Sequence, residues 1–244
     1  MAACGWHHSV VVSAEGRVWT FGFGFYGQLD HNDEQSRLVP TLLAAEVFEG
    51  SKIVTVAAGG CYTMAVGENG ALWAWGMGAN GQLGLGDTNK RMVPTLVGAE
   101  EVFGGSKVCT VACGDGHTLA VTEAGELWAW GGGAQGRLGL NDEQRRLVPT
   151  RVDPQHFAHA PISVVAASES HSAAVTAGGA LYTWGGAQEF VKCEQIYAKV
   201  FGADHVERLD AAMYAQTVGE EKEGDEGEEE DSDEGSAKEK RRIR

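Results

Sequence analysis

The chain has 244 residues, 35 of them glycine and only five proline, with 43% hydrophobic residues and a net charge of −15. Glycine at about twice its usual share of about 7%, without a Gly-X-Y period, excludes collagen, and the hydrophobic content excludes a wholly disordered chain. The acidic surplus has the wrong sign for a body that grips phosphate backbones, and no run approaches the roughly 18 apolar residues of a membrane helix.

In chain order the first landmark is the turn Gly5-Trp6-His7-His8-Ser9. It returns as Gly59-Gly60-Cys61-Tyr62-Thr63, as Gly114-Asp115-Gly116-His117-Thr118 and as Ser168-Glu169-Ser170-His171-Ser172, in steps of 54, 55 and 54 residues. Trp19, Trp73, Trp128 and Tyr182 keep the same beat, and so do Pro40, Pro94 and Pro149. A fixed period of this length signals a repeat architecture whose units must stack to bury their faces.

The second unit shows the elements most clearly. Ile53 to Ala58 is β-branched and apolar, Thr63 to Val66 follows a glycine turn, and Leu72 to Trp75 follows Glu68-Asn69-Gly70. Asn-Gly between two apolar runs predicts a hairpin with a type I′ turn. Ala14-Glu15-Gly16, Glu123-Ala124-Gly125 and Ala177-Gly178-Gly179 hold the same place. A fourth strand, Val93 to Val97, begins at a proline, as an edge permits. The expected fold is therefore all-β, in β-propeller blades of four antiparallel strands.

Read across Val56-Ala57-Ala58-Gly59, Leu72-Trp73-Ala74-Trp75-Gly76, Gly81-Gln82-Leu83-Gly84-Leu85-Gly86-Asp87 and Val93-Pro94-Thr95, the repeat resembles that of the regulator of chromosome condensation family, over about residues 1–186. The resemblance implies a seven-bladed propeller that binds protein partners across one face. It also implies a second reading, guanine nucleotide exchange on a Ran-type small GTPase, in which a wedge and acidic face residues displace the nucleotide. Asp115 resembles one such acidic position, although repeats of 54 and 55 residues leave no room for a long wedge in the regular part. No acid–base constellation is expected on either reading.

The loops also carry decoys. Gly22 to Gly27, Gly76 to Gly81 and Gly131 to Gly136 each satisfy G-x-G-x-x-G, but a dinucleotide site needs a helix to follow, and Gln82-Leu83-Gly84-Leu85-Gly86-Asp87 holds too many glycines for one. No cofactor is expected. Cys109 and Cys113 lack a second ligand pair, so no metal is expected, and the five cysteines show no C-x-x-C spacing.

Asn32-Asp33, Gly86-Asp87 and Asn141-Asp142 stand before Arg37, Arg91 and Arg146, which predicts a left-handed residue followed by an ion pair that braces the loop. His8, His117 and His171 come one per unit and are expected as partly buried rings bonded to nearby backbone, with Tyr62 as their counterpart. The tryptophans at strand positions are expected to pack the blades. A light-sensing cluster of coupled indoles would need several tryptophans at the variable turn, and the chain offers one, Trp6.

Met1 to Gly5 aligns with Thr55 to Gly59, so the sequence opens inside a strand. After Gly186 the pattern degrades over residues 187–218, which close a repeat region of 1–218. From Glu220 to Glu234 there are 11 acids and one lysine, predicting a disordered tail over 219–244. It ends in the basic cluster Lys238 to Arg244, which reads as a solubilising polar tail, an import signal or a nucleic-acid contact.

Four units and part of a fifth predict an incomplete or divergent ring: a fragment of a longer propeller, a truncated reading, or a propeller completed by a partner. The function expected is a non-enzymatic protein-interaction scaffold, intracellular, in cytoplasm or nucleus. Its partner contacts are expected at the variable turn residues Trp6, His7, Asp115 and Glu169.

Overall fold

The computed structural model describes residues 1–98 and 102–186. Four antiparallel sheets follow one another along the chain, each with its strands in sequence order. Blade 1 holds β1 (Ala2–Cys4), β2 (His8–Val12), β3 (Val18–Gly22) and β4 (Arg37–Leu42). Blade 2 holds β5 (Ile53–Ala58), β6 (Tyr62–Gly67), β7 (Leu72–Gly76) and β8 (Arg91–Leu96). Blade 3 holds β9 (Val108–Cys113), β10 (His117–Thr122), β11 (Leu127–Gly131) and β12 (Arg146–Arg151), and three strands of blade 4 are described, β13 (Ile162–Ala167), β14 (His171–Thr176) and β15 (Leu181–Gly185). The expected all-β blades of four antiparallel strands are what the chain forms. Residues 187–218 and the acidic tail lie outside the described residues, as does Cys193.

The first strands β1, β5, β9 and β13 adjoin in succession, and each blade's second strand leans on the first strand of the next. The apolar core lies in the seams between blades. Val10, Val12, Val18 and Phe48 of blade 1 meet Ile53, Val56, Trp73 and Trp75 of blade 2, and equivalent clusters fill the two following seams. This explains why β6, β7 and β10 are buried on both faces rather than alternating: each is covered by a sheet on either side.

The turn between the second and third strands differs from the expected type I′. In all four blades only the glycine has positive φ, at +82° for Gly16, +82° for Gly70, +74° for Gly125 and +86° for Gly179. Gly70 N–H donates to the Gly67 carbonyl at 2.9 Å, and Gly67 N–H donates to the Ala71 carbonyl at 2.9 Å. That is a type I turn closed by a left-handed glycine in a bulge, which frees the preceding position from any need for positive φ and admits Glu15 and Ala124 there. The fourth strand also starts earlier than expected, at Arg91 rather than at the proline. A register shift between Ala74 and Gly76 leaves Pro94 on the outer edge, where its missing donor costs no ladder bond.

Candidate functional site

The four variable turns form one continuous belt. Trp6 N–H donates to the Gly60 carbonyl at 3.3 Å, Gly60 N–H to the Gly114 carbonyl at 3.3 Å, and Asp115 N–H to the Ser168 carbonyl at 3.2 Å. Each turn is also tied to the start of its own blade's long loop: Phe23 N–H donates to the His7 carbonyl at 2.8 Å, Met77 N–H to Cys61 at 2.9 Å and Gly132 N–H to Gly116 at 2.8 Å. Turns and loops therefore share one face of the blade stack, and Trp6, His7, Asp115 and Glu169 all lie on it.

The belt changes character along its length. At the blade 1 end Trp6 is 57% exposed, Phe25 53% and Phe23 40%. His7 stands edge-on to Phe23 at 6.2 Å, Phe23 stacks on Phe25 at 6.2 Å, and Tyr26 meets Phe25 edge-on at 5.3 Å. At the other end the Asp115 carboxyl lies against Gly60 Cα, leaving no room for a side chain there. Burial raises its pKa first, then repulsion from Glu169, with Arg137 opposing both. Arg137 is itself pinned, donating to the Gly132 carbonyl at 2.8 Å and the Glu169 carbonyl at 2.9 Å. Cys61, between the two ends, has its thiol pushed up by burial and then by Asp115, which disfavours the thiolate.

The sequence pointed to Trp6 and His7 but not to Phe23, Phe25 and Tyr26. A signal existed: the positions equivalent to Phe23, Phe25 and Tyr26 are Met77, Ala79 and Asn80 in blade 2 and Gly132, Ala134 and Gln135 in blade 3. Among the described loops only that of blade 1 puts aromatic rings on the frame. The frame itself is closely packed, since Gly24 and Gly78 pass so close to the Gln35 and Asn89 carbonyls that a Cβ would collide with them.

Beneath the face, the seams are pinned by a repeated hydrogen-bond set. The Gln28 carbonyl accepts from the Thr63 hydroxyl at 3.1 Å and from Trp75 Nε1 at 2.9 Å. The Gln82 carbonyl accepts from Thr118 and Trp130, both at 2.9 Å, and the Arg137 carbonyl accepts from Ser172 at 2.7 Å and Trp184 at 3.0 Å. The long loop of each blade thus clasps the next blade. A phenylalanine from each inter-blade connection completes the clasp: Phe48 on Trp73 at 5.7 Å, Phe103 on Trp128 at 5.4 Å and Phe157 on Tyr182 at 5.1 Å.

His8 and His117 belong to this set: they are more fully buried than the expected partly buried rings and bond hydroxyls of the next blade, with a backbone hydrogen bond to Tyr62 as well at His8. His8 is 3% exposed with Nε2 at 2.9 Å from the Thr63 hydroxyl, and His117 is 0% exposed with Nε2 at 2.9 Å from the Ser172 hydroxyl. Thr63 spends its only proton on the Gln28 carbonyl, so His8 donates through Nε2–H and leaves Nδ1 bare. A second proton would be buried without an acceptor, and burial accordingly drives His8 down to about 4 and His117 to about 3. Tyr62 keeps the phase by donating its hydroxyl to the His117 carbonyl, with its oxygen 3.1 Å from the Thr118 hydroxyl.

The loop ion pairs stand as expected: Asp33–Arg37 at 2.6 Å, Asp87–Arg91 at 2.8 Å and Asp142–Arg146 at 2.6 Å. Asn32, Gly86 and Asn141 precede them in the left-handed region. The Arg91 guanidinium holds the Asp87 carboxyl down to about 2, helped by the Asn89 N–H. No helix follows any G-x-G-x-x-G loop; each runs through tight turns into the fourth strand of its blade.

Family models for the regulator of chromosome condensation (RCC1) repeat match residues 15–66, 69–121 and 124–175. The chain belongs to the RCC1 repeat family. It is 40% identical to the ultraviolet-B receptor UVR8 of Arabidopsis thaliana over 183 residues, 75% of this chain and 40% of the receptor. It is 34% identical to the human E3 ubiquitin-protein ligase HERC2 over 75% of this chain and 4% of the ligase. Among solved structures, human WBSCR16 matches with a TM-score of 0.69 and 28% identity over 76% of this chain and 47% of that one. Yeast RCC1 (Prp20), solved bound to Kap60, matches with a TM-score of 0.63 and 22% identity over 76% of this chain and 43% of that one, a likeness of fold. The chain spans less than half the length of each of these four proteins. The seam clasp accounts for part of the RCC1 repeat's beat in this sequence: Trp75, Trp130 and Trp184, with His8 and His117, recur because each bonds a neighbouring blade.

Proposed function

We propose that this chain is a non-enzymatic protein-interaction scaffold and that the belt of turns is its partner-binding face, with Trp6, His7, Asp115 and Glu169 as contacts and Phe23, Phe25 and Tyr26 beside them. The observation that carries this reading is the exposed aromatic cluster on a closely packed loop frame, in a molecule whose strand tryptophans Trp73, Trp75 and Trp130 are almost wholly buried. Exposed rings gathered on one face cost solubility and suit partner anchoring. The free thiols of Cys4, Cys61, Cys109 and Cys113 suit an intracellular setting, cytoplasmic or nuclear.

Affinity capture with the wild-type chain, with Trp6→Ser and Phe25→Ser, and with Leu38→Ser on the outermost strand of blade 1 tests the reading. The partner set should survive Leu38→Ser and be lost with the two face variants. Retention by the face variants overturns it.

The acidic Asp115–Glu169 end supports a second reading, nucleotide exchange on a Ran-type GTPase, through acidic displacement of the nucleotide. Prp20p, a fold neighbour, is described as binding Gsp1p. Ran loaded with labelled GDP decides between them: no faster release at micromolar chain ends the exchange reading and leaves the scaffold.

A further inference from the structure

Besides its aromatic residues, the long loop of blade 1 departs from its siblings at one position where their left-handed backbone carries glycine. Blades 2 and 3 have Gly84 and Gly139 there, and blade 1 has Asp30. The backbone is the same in all three: φ is +73° at Gly84, +68° at Gly139 and 59° at Asp30, and each N–H donates to the carbonyl three residues before it. A Cβ on Gly84 would stand 2.8 Å from Trp130 Nε1, and one on Gly139 2.9 Å from Trp184 Nε1. The position thus faces the next blade's indole, the one that the loop clasps. Left-handed backbone next to an indole is a place for glycine.

Asp30 fills that place at 6% exposure, and neither carboxyl oxygen has a hydrogen-bond partner. The indole of blade 2 cannot serve it, because Trp75 Nε1–H is committed to the Gln28 carbonyl. Within the loop, His31 contacts the Thr20 hydroxyl at 3.2 Å, Asp33 pairs with Arg37, and Glu34 pairs with Lys90 of blade 2. Thr63 of blade 2 carries no charge, and His8 from β2 is held neutral by burial. None of these offers a cation to an ionised Asp30. Burial alone acts on the carboxyl and pushes it up to about 8.

We propose that Asp30 is a proton-controlled latch on the aromatic loop of blade 1, closed when the carboxyl is neutral and opened when it ionises and draws in water. The loop it governs carries Phe23, Phe25 and Tyr26, so the latch regulates the presentation of the candidate face. That consequence rests on the function proposed above; the latch itself does not. An open loop exposes an ordinary carboxyl, so opening rises about tenfold per pH unit between roughly 4 and 8 and levels off beyond.

Hydrogen exchange on the whole chain at pH 6.5 and 8.5, corrected for the intrinsic rate, tests this with internal controls. Opening of residues 22–37 should rise on the order of 25-fold over that interval, while the equivalent loops 76–91 and 131–146 stay level. Asp30→Gly should abolish the rise, and Gly84→Asp should create one in residues 76–91. A blade 1 loop that tracks its siblings, or a rise that persists in Asp30→Gly, overturns the latch, and the Asp30→Gly result decides alone if Gly84→Asp does not fold. Partner capture measured at both pH values separates the readings: loop opening without any change in capture removes the functional consequence and leaves the latch.

Discussion

Blades 1 and 2 carry the same strands in the same register, with Ser9 opposite Phe21 as Thr63 is opposite Trp75. Their burial differs on one face. In β6 every residue is buried, whereas β2 alternates, with Ser9 and Val11 half-exposed. Trp73 is 2% exposed while Trp19, its counterpart, is only half-buried. Leu38 is 96% exposed, whereas Met92 in the same place of blade 2 rests on Gly27 of the blade 1 loop. Like residues differ because blade 2 has a described neighbour clasping that face and blade 1 has none. In a stacked repeat, burial is a property of the adjoining unit as much as of the residue.

Truncating the paired tryptophans separates the blades most strongly. Trp73→Ala should cost about 3–5 kcal/mol in urea unfolding, as expected for a large buried ring, and Trp19→Ala roughly half as much or less. Equal losses would mean that the blade 1 face is covered in solution.

The next largest effects are pH-dependent and of opposite sign in their source groups. His8 and His117 are neutral when folded, so their contribution is complete above about pH 6.5 and is lost as pH falls towards about 4 and about 3. Each adds up to about 1.4 kcal/mol of loss per pH unit. Asp30 acts in reverse: its contribution is complete below the ordinary carboxylate range and is lost as pH rises through about 8. Stability should therefore peak near pH 6.5, by roughly equal reasoning from both sides. Unfolding measured from pH 4 to 9 should show His117→Gln flattening the acid side only. A wild-type profile without a peak would contradict both assignments.

The smallest effect is expected at the loop pairs. Asp87 and Arg91 stand at the surface, where such pairs contribute little, so Arg91→Gln should lower the melting temperature by about 2 °C or less. A larger loss would show that the pair braces the loop against the next blade.

Much of the fold was legible because it is local. The strand between Ile53 and Ala58 follows from its β-branched residues, and the left-handed positions at Gly86 and Asn141 follow from residues that tolerate them. The turn type was misjudged because Asn69-Gly70 fits two turns, and only the hydrogen bond across Gly67 separates them. Of the candidate site, Trp6 stood out as an indole outside the strand beat, and the belt that links it to Asp115 and Glu169 did not show. Its bonds join residues 53 or 54 apart, between groups that every chain possesses.

The sequence by itself determined the repeat, its period, the four-strand blade and the loop ion pairs, since each rests on residues within one unit. Only the tertiary structure decided which face of each blade is covered, that His8 and His117 bond hydroxyls in the following blade, and that Asp30 is buried without a partner. Those facts depend on what the adjoining unit places against a side chain, and a partner 55 residues away leaves no mark on local pattern.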